Sequence, residues 1–97
     1  MKGRKKRKAI FVGKTILIYK INAKDMEKID EAMASLKKVR NGEFRDAKKI
    51  PIGFGVEIIK AAFTVPEKQD DIVEKLTKEI NSLPLIEDAE MQEMTLL

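Results

Sequence analysis

Neither cysteine nor histidine occurs in this 97-residue chain, tryptophan is missing as well, and only 5% of the residues are aromatic. Without cysteine there is no disulfide and no thiolate metal site; without histidine the usual zinc ligand and the commonest general base go too. Long apolar runs are also lacking: the longest candidate, Ile16 to Tyr19, falls far short of the roughly 20 residues that cross a bilayer. Ala9 to Val12 is too short for the apolar region of a secretory signal, so the reading is a cytoplasmic protein with no membrane association.

What is abundant is charge. Six of the twenty basic residues lie in the first eight positions, Lys2, Arg4, Lys5, Lys6, Arg7 and Lys8, with no acid among them. The remaining chain holds fourteen basic against sixteen acidic residues and is slightly acidic. Attraction to nucleic acid therefore rests on the tail alone. Residues 1–9 read as a basic, flexible tail, and 10–97 as a single domain, because 43% hydrophobic content over this length makes one modest core.

From Val12 to Ile21 the sequence VGKTILIYKI is rich in β-branched residues and reads as a central strand. Asn22 is a candidate helix cap, with Asp25 in the first turn, and Met26, Ile29, Met33 and Leu36 recur at helical spacing. A helix is predicted over 23–39, closed by Asn41-Gly42. EFRDAKKI, 43–50, has the charges of an edge strand; Ile50 to Gly55 supplies turn residues. VEIIKAAFTV, 56–65, is a second long strand, with Ile59, Ala61, Phe63 and Val65 toward the helices and Ile58, Lys60, Ala62 and Thr64 on the other face.

A second amphipathic helix is predicted over 69–82, ended by Pro84, and residues 85–97 make a second edge strand. The order βαββαβ gives an α+β fold, a ferredoxin-like plait with a four-stranded antiparallel sheet and two helices on one face.

Chemistry is sparse. Asp70-Asp71 and the Glu87, Asp88 and Glu90 group are the carboxylate clusters, and a dipole-favoured helix start and a solvated edge account for them. Gly53-Phe54-Gly55 lacks the rest of a dinucleotide fingerprint, and no Walker A motif is present. An enzyme is not indicated, and no cofactor or metal is implied.

Binding remains, with two readings. An RNA-binding plait of the RRM type would stack bases on Tyr19 and Phe54, but Ile52, Val56 and Ile59 replace the basic and aromatic residues of its third-strand motif. A docking tip would present Phe54 outward from between two glycines; the bland counterpart is a Phe54 folded back over the sheet end, and physics alone leaves both standing.

Pro51-Ile52-Gly53-Phe54-Gly55-Val56, the apolar strand ending Val65-Pro66-Glu67 and the acidic amphipathic helix after it resemble the translation elongation factor 1-beta family, in its short single-domain archaeal form. The likeness is most specific from Ile50 to Glu67, extends more weakly over Gly13 to Leu97 and excludes the basic tail. It implies a guanine nucleotide exchange factor for the GTPase elongation factor 1-alpha, without bond-making chemistry.

It also implies partner contact through Pro51, Gly53, Phe54 and Gly55, with Phe54 packing into the GTPase, and through Leu96 and Leu97 as the C-terminus reaches toward the nucleotide and magnesium site. Relatives often carry a cation beside their last hydrophobic residue, where this chain has Leu96. Three alternatives follow: the cation comes from elsewhere, exchange displaces the P-loop and switch backbone instead, or the C-terminal mechanism does not transfer. The tail, for its part, is either a weak contact to rRNA or tRNA phosphates, a solubilising extension, or the product of a misjudged start codon.

Overall fold

Thr15, Leu17, Tyr19, Ile21 and Ala23 are buried in the first strand while the residues between them are not, a period of two that belongs to a strand covered on one face. In the computed structural model, which describes residues 14–66 and 71–96, this strand, β1 (Lys14–Ala23), is central. A 3-10 turn, Met26–Lys28, leads into α1 (Ile29–Leu36). Then come β2 (Glu43–Gly53), β3 (Val56–Pro66), α2 (Ile72–Asn81) and β4 (Ile86–Leu96). The strands lie in the order β2-β3-β1-β4, every neighbouring pair antiparallel, with both helices on one face. This is the ferredoxin-like plait expected from the element order.

The core sits between that face and the helices. Leu17, Tyr19, Ile21, Ile59, Ala61, Phe63 and Val65 of the central strands meet Ile29, Ala32 and Leu36 of α1 and Leu76 and Ile80 of α2. Phe63 anchors it, with Tyr19 and Phe44 packed edge-on against its ring at centroid distances of 5.8 and 5.7 Å. Burying such a ring contributes roughly 1.5–3 kcal/mol, plus a smaller term for each edge-to-face pair. The Tyr19 hydroxyl lies 2.7 Å from Thr77 Oγ1. Because Thr77 donates its own proton to the Val73 carbonyl, Tyr19 is the donor in that pair.

Several local expectations are corrected. Asn22 caps no helix: it lies in β1, and its amide donates to Asp88 Oδ1 on β4 at 2.8 Å. The cap is Asp25, whose carboxylate accepts from the Glu27 N–H. The helix expected over 23–39 is shorter at both ends, because β1 runs on to Ala23, opposite Ile86, and α1 stops at Leu36 with Lys37 as its C-cap.

Asn41-Gly42 therefore ends no helix. Instead, Glu79 of α2 accepts hydrogen bonds from the Arg40 and Asn41 backbone N–H groups and the Asn41 amide, tying down the segment after α1. Gly42 packs closely, since a Cβ there would stand 2.8 Å from Leu76 Cδ2 and the Leu76 side chain would have to shift. On β3 the predicted parity holds, although Ile58 and Thr64 are nearly buried on the open face. The expected strand start at Val12 and the first turn of the second helix, residues 69 and 70, fall outside the described residues.

Candidate docking site

β2 does not end at Ile50. It continues to Gly53 and turns directly into β3, so the turn contains only Phe54 and Gly55. Pro51, opposite Glu57, is tolerated because β2 is an edge strand and needs no donor on its outer side. The β1–β3 ladder stops at Ile21 opposite Ile59, while β2–β3 pairing persists to Gly53 opposite Val56. The last part of the hairpin thus extends as a two-stranded ribbon. At its base, the Glu57 N–H donates to Met26 Sδ at 3.4 Å, and the Lys49 ammonium donates to Asp30 Oδ1 at 2.8 Å. That hydrogen bond, helped by the Asp30 charge, holds the Lys49 pKa above its ordinary value.

Phe54 has φ of 56° and Gly55 of 75°, positive at both turn positions as in a type I′ hairpin turn; Gly53 beside them has φ of 110°. Asparagine or glycine ordinarily fills the first of these positions, because a residue with a bulky side chain is disfavoured in the left-handed region. Phe54 is nonetheless there, and at 105% relative exposure it touches nothing in its own chain. It does not fold back over the sheet. Ile52 and Val56, exposed by 56% and 39%, flank it.

A second exposed apolar group lies at the other end of the sheet, where Met94 and Leu96 of β4 are 52% and 63% exposed. Ile59, Ile21 and Ala89 stand in one row across the sheet. Counting residues outward from that row at about 3.3 Å each, Phe54 and Leu96 are roughly 40 Å apart. Among the described residues, Lys14 is a basic residue next to this second end, preceding Thr15, the cross-strand partner of Leu96; it lies 3.8 Å from Glu43 Oε1. Leu97 and the six basic residues Lys2, Arg4, Lys5, Lys6, Arg7 and Lys8 fall outside the described residues.

Base stacking on the sheet fails on geometry. Tyr19 is fully buried on the helix side, its phenol pKa raised by that burial, and Phe54 is on the turn, so the two aromatics share no open face. The groove between α1 and β2, about 330 Å³, is lined by Asp30, Met33, Ala34, Lys37, Phe44, Asp46 and Ala47, a set without a nucleophile and base in partnership. Sequence reading singled out Phe54 but missed Ile52, Val56 and Met94 as exposed apolar positions. Strand alternation carried to the ends of the hairpin and of β4 was the signal available for them.

Comparison with known proteins shows the family. The family model for the EF-1 guanine nucleotide exchange domain matches residues 18–97. A relative, elongation factor 1-beta of Methanospirillum hungatei JF-1, is 30% identical over 86 residues, covering 89% of this chain and 100% of that protein.

The chain belongs to the EF-1 guanine nucleotide exchange domain family.

The part of the chain matched to the exchange domain contains the Gly53-Phe54-Gly55 turn and all of β4 and begins within β1, so residues 2–8 lie before it. Among solved structures, the C-terminal domain of the MgtC protein from Mycobacterium tuberculosis is similar over 84% of this chain and 86% of that one, at 11% identity and a TM-score of 0.49. Among the described residues of this exchange domain, no helix is long and apolar enough to cross a membrane.

Proposed function

We propose that this chain acts in translation elongation in the cytoplasm, promoting exchange of GDP for GTP on elongation factor 1-alpha, with Phe54 as the anchor seated in the GTPase. The family supplies the activity and the partner. The observation supporting the anchor is the turn itself: an aromatic held in a disfavoured backbone conformation and fully exposed stabilises nothing in the free protein. Gly53 and Gly55 give the turn its shape, Pro51 stiffens the strand leading into it, and Leu96, with Leu97 beyond it, provides the contact at the far end of the sheet. Two contacts roughly 40 Å apart suit a partner gripped at two places by one rigid sheet.

Exchange of this kind makes and breaks no covalent bond. A factor that binds the nucleotide-free GTPase more tightly than the loaded one weakens nucleotide binding by the same ratio. GDP leaves through a transient ternary complex, GTP rebinds, and the factor is expelled. Reciprocity gives the test. Increasing GTP is expected to displace this protein from immobilised, nucleotide-free elongation factor 1-alpha, and Phe54→Ala is expected to weaken the complex. Binding indifferent to GTP, or unchanged in the Phe54→Ala variant, would overturn the exchange role or the anchor role respectively.

A further inference from the structure

The ribbon that carries Phe54 has little of its own to hold it in place. It projects past the last β1–β3 pair, Ile21 opposite Ile59, as two strands only, and its ladder is interrupted by a register shift between Pro51 and Gly53. A two-stranded hairpin is marginal in water unless further strands or a helix support it, and a bulge bends the strand that contains it. Support comes from one short segment, Met26 to Asp30, where the 3-10 turn runs into α1. Met26, packed against the core, accepts the Glu57 N–H at 3.4 Å, while Asp30 accepts from the Lys49 ammonium at 2.8 Å. One tether thus reaches each strand at the ribbon's base.

These contacts do little for the fold as a whole. The Asp30 and Lys49 side chains are exposed by 79% and 37%, and an ion pair this open contributes little to global stability. A thioether is a weak acceptor as well. Both contacts, however, cross from the body of the domain to the hairpin, so their loss widens the range of angles at which the ribbon leaves the sheet. That range matters for an anchor entering a partner gripped at two places roughly 40 Å apart, because each misdirected ribbon is a factor molecule unable to bind.

Resting on the exchange-factor reading with Phe54 as anchor, we infer that Met26, Asp30 and Lys49 are positioning residues for exchange, bracing the hairpin and fixing where Phe54 is presented to the GTPase. They act through Phe54 and need no contact with the partner themselves.

The test joins nucleotide release from elongation factor 1-alpha, measured against factor concentration, to amide hydrogen exchange of the free factor. Asp30→Ala and Lys49→Met are each expected to raise the half-maximal concentration about threefold, and Met26→Leu combined with Asp30→Ala about tenfold, at an unchanged saturating rate. Lys49→Arg, which keeps the cation, is expected to match wild type. Melting temperatures are expected to stay close to wild type, since an exposed ion pair adds little and a Met-to-Leu exchange conserves volume. In the Phe54→Ala background the same substitutions are expected to add nothing, because a brace without its anchor has nothing to aim. The Glu57 amide is expected to exchange several-fold faster in the Met26→Leu, Asp30→Ala factor, with the core amides of β1 unchanged. Undiminished effects in the Phe54→Ala background, or a Lys49→Met defect that Asp30→Ala does not share, would show direct contact with the GTPase and overturn the brace. Unchanged Glu57 exchange overturns it too, whatever the release assay shows. If wild type itself released no nucleotide, the exchange reading would fail instead, while Glu57 exchange would still report on the brace.

Discussion

Replacing Phe54 by asparagine is expected to strengthen the fold and weaken the function in one step. The left-handed conformation at this position, φ of 56°, costs a residue with a side chain such as phenylalanine about 1–2 kcal/mol. Asparagine tolerates it, and Asn-Gly is the preferred pair for a two-residue hairpin turn. Phe54 has no contact to forfeit, being fully exposed. The expected gain is about 1 kcal/mol, which in a chain of this size raises Tm by about 4–8 °C. The same substitution removes the apolar ring proposed as the anchor in the GTPase. Release of GDP at a fixed low factor concentration is then expected to fall about 30-fold, the equivalent of the roughly 2 kcal/mol that marks a dominant interface residue. Thermal melting by circular dichroism and release of a fluorescent GDP analogue read the two halves separately. A lower Tm would refute the conformational argument, and exchange at the wild-type rate would refute the anchor.

Other outcomes follow from the core. Leu76→Ala empties a fully buried position beneath α2 and is expected to cost about 2–5 kcal/mol in urea unfolding. Gly42→Ala forces a Cβ to within 2.8 Å of Leu76 Cδ2, and the side-chain shift this demands is expected to cost about 1–3 kcal/mol. Tyr19→Phe removes the hydrogen bond to Thr77, for about 1 kcal/mol at neutral pH. Because burial raises the Tyr19 pKa, the stability gained from a neutral phenol is complete below its ordinary value of 10.0 and is lost as pH rises through the higher folded value. The gap between wild type and Tyr19→Phe is therefore expected to narrow above that pH; a gap that widened would contradict the assignment.

The fold was legible where local pattern and tertiary environment agree. Leu17, Tyr19 and Ile21 alternate because one face of β1 is covered, and Leu76 and Ile80 repeat because one side of α2 is. Element ends were less legible, since competing partners decide them. Asn22 carries the chemistry of a helix cap, yet Asp88 on a strand distant in sequence claims its amide. Gly42 reads as a helix terminator, yet it follows no helix and instead lies close against Leu76. The Gly-Phe-Gly stretch pointed to a turn, but only the register of the hairpin reduces that turn to two residues and leaves Phe54 exposed. The cross-strand row of Lys48, Lys60, Lys20 and Glu90 was invisible for the same reason, because these residues become neighbours only through strand pairing.

The central claim is that this protein opens the nucleotide site of elongation factor 1-alpha. Its most direct test follows release of a fluorescent GDP analogue from the loaded GTPase, with excess unlabelled nucleotide and substoichiometric amounts of this protein. The expected result is release accelerated in proportion to the protein added, with each molecule discharging many GTPases. Release at the intrinsic rate, over all concentrations of correctly folded protein, would contradict it.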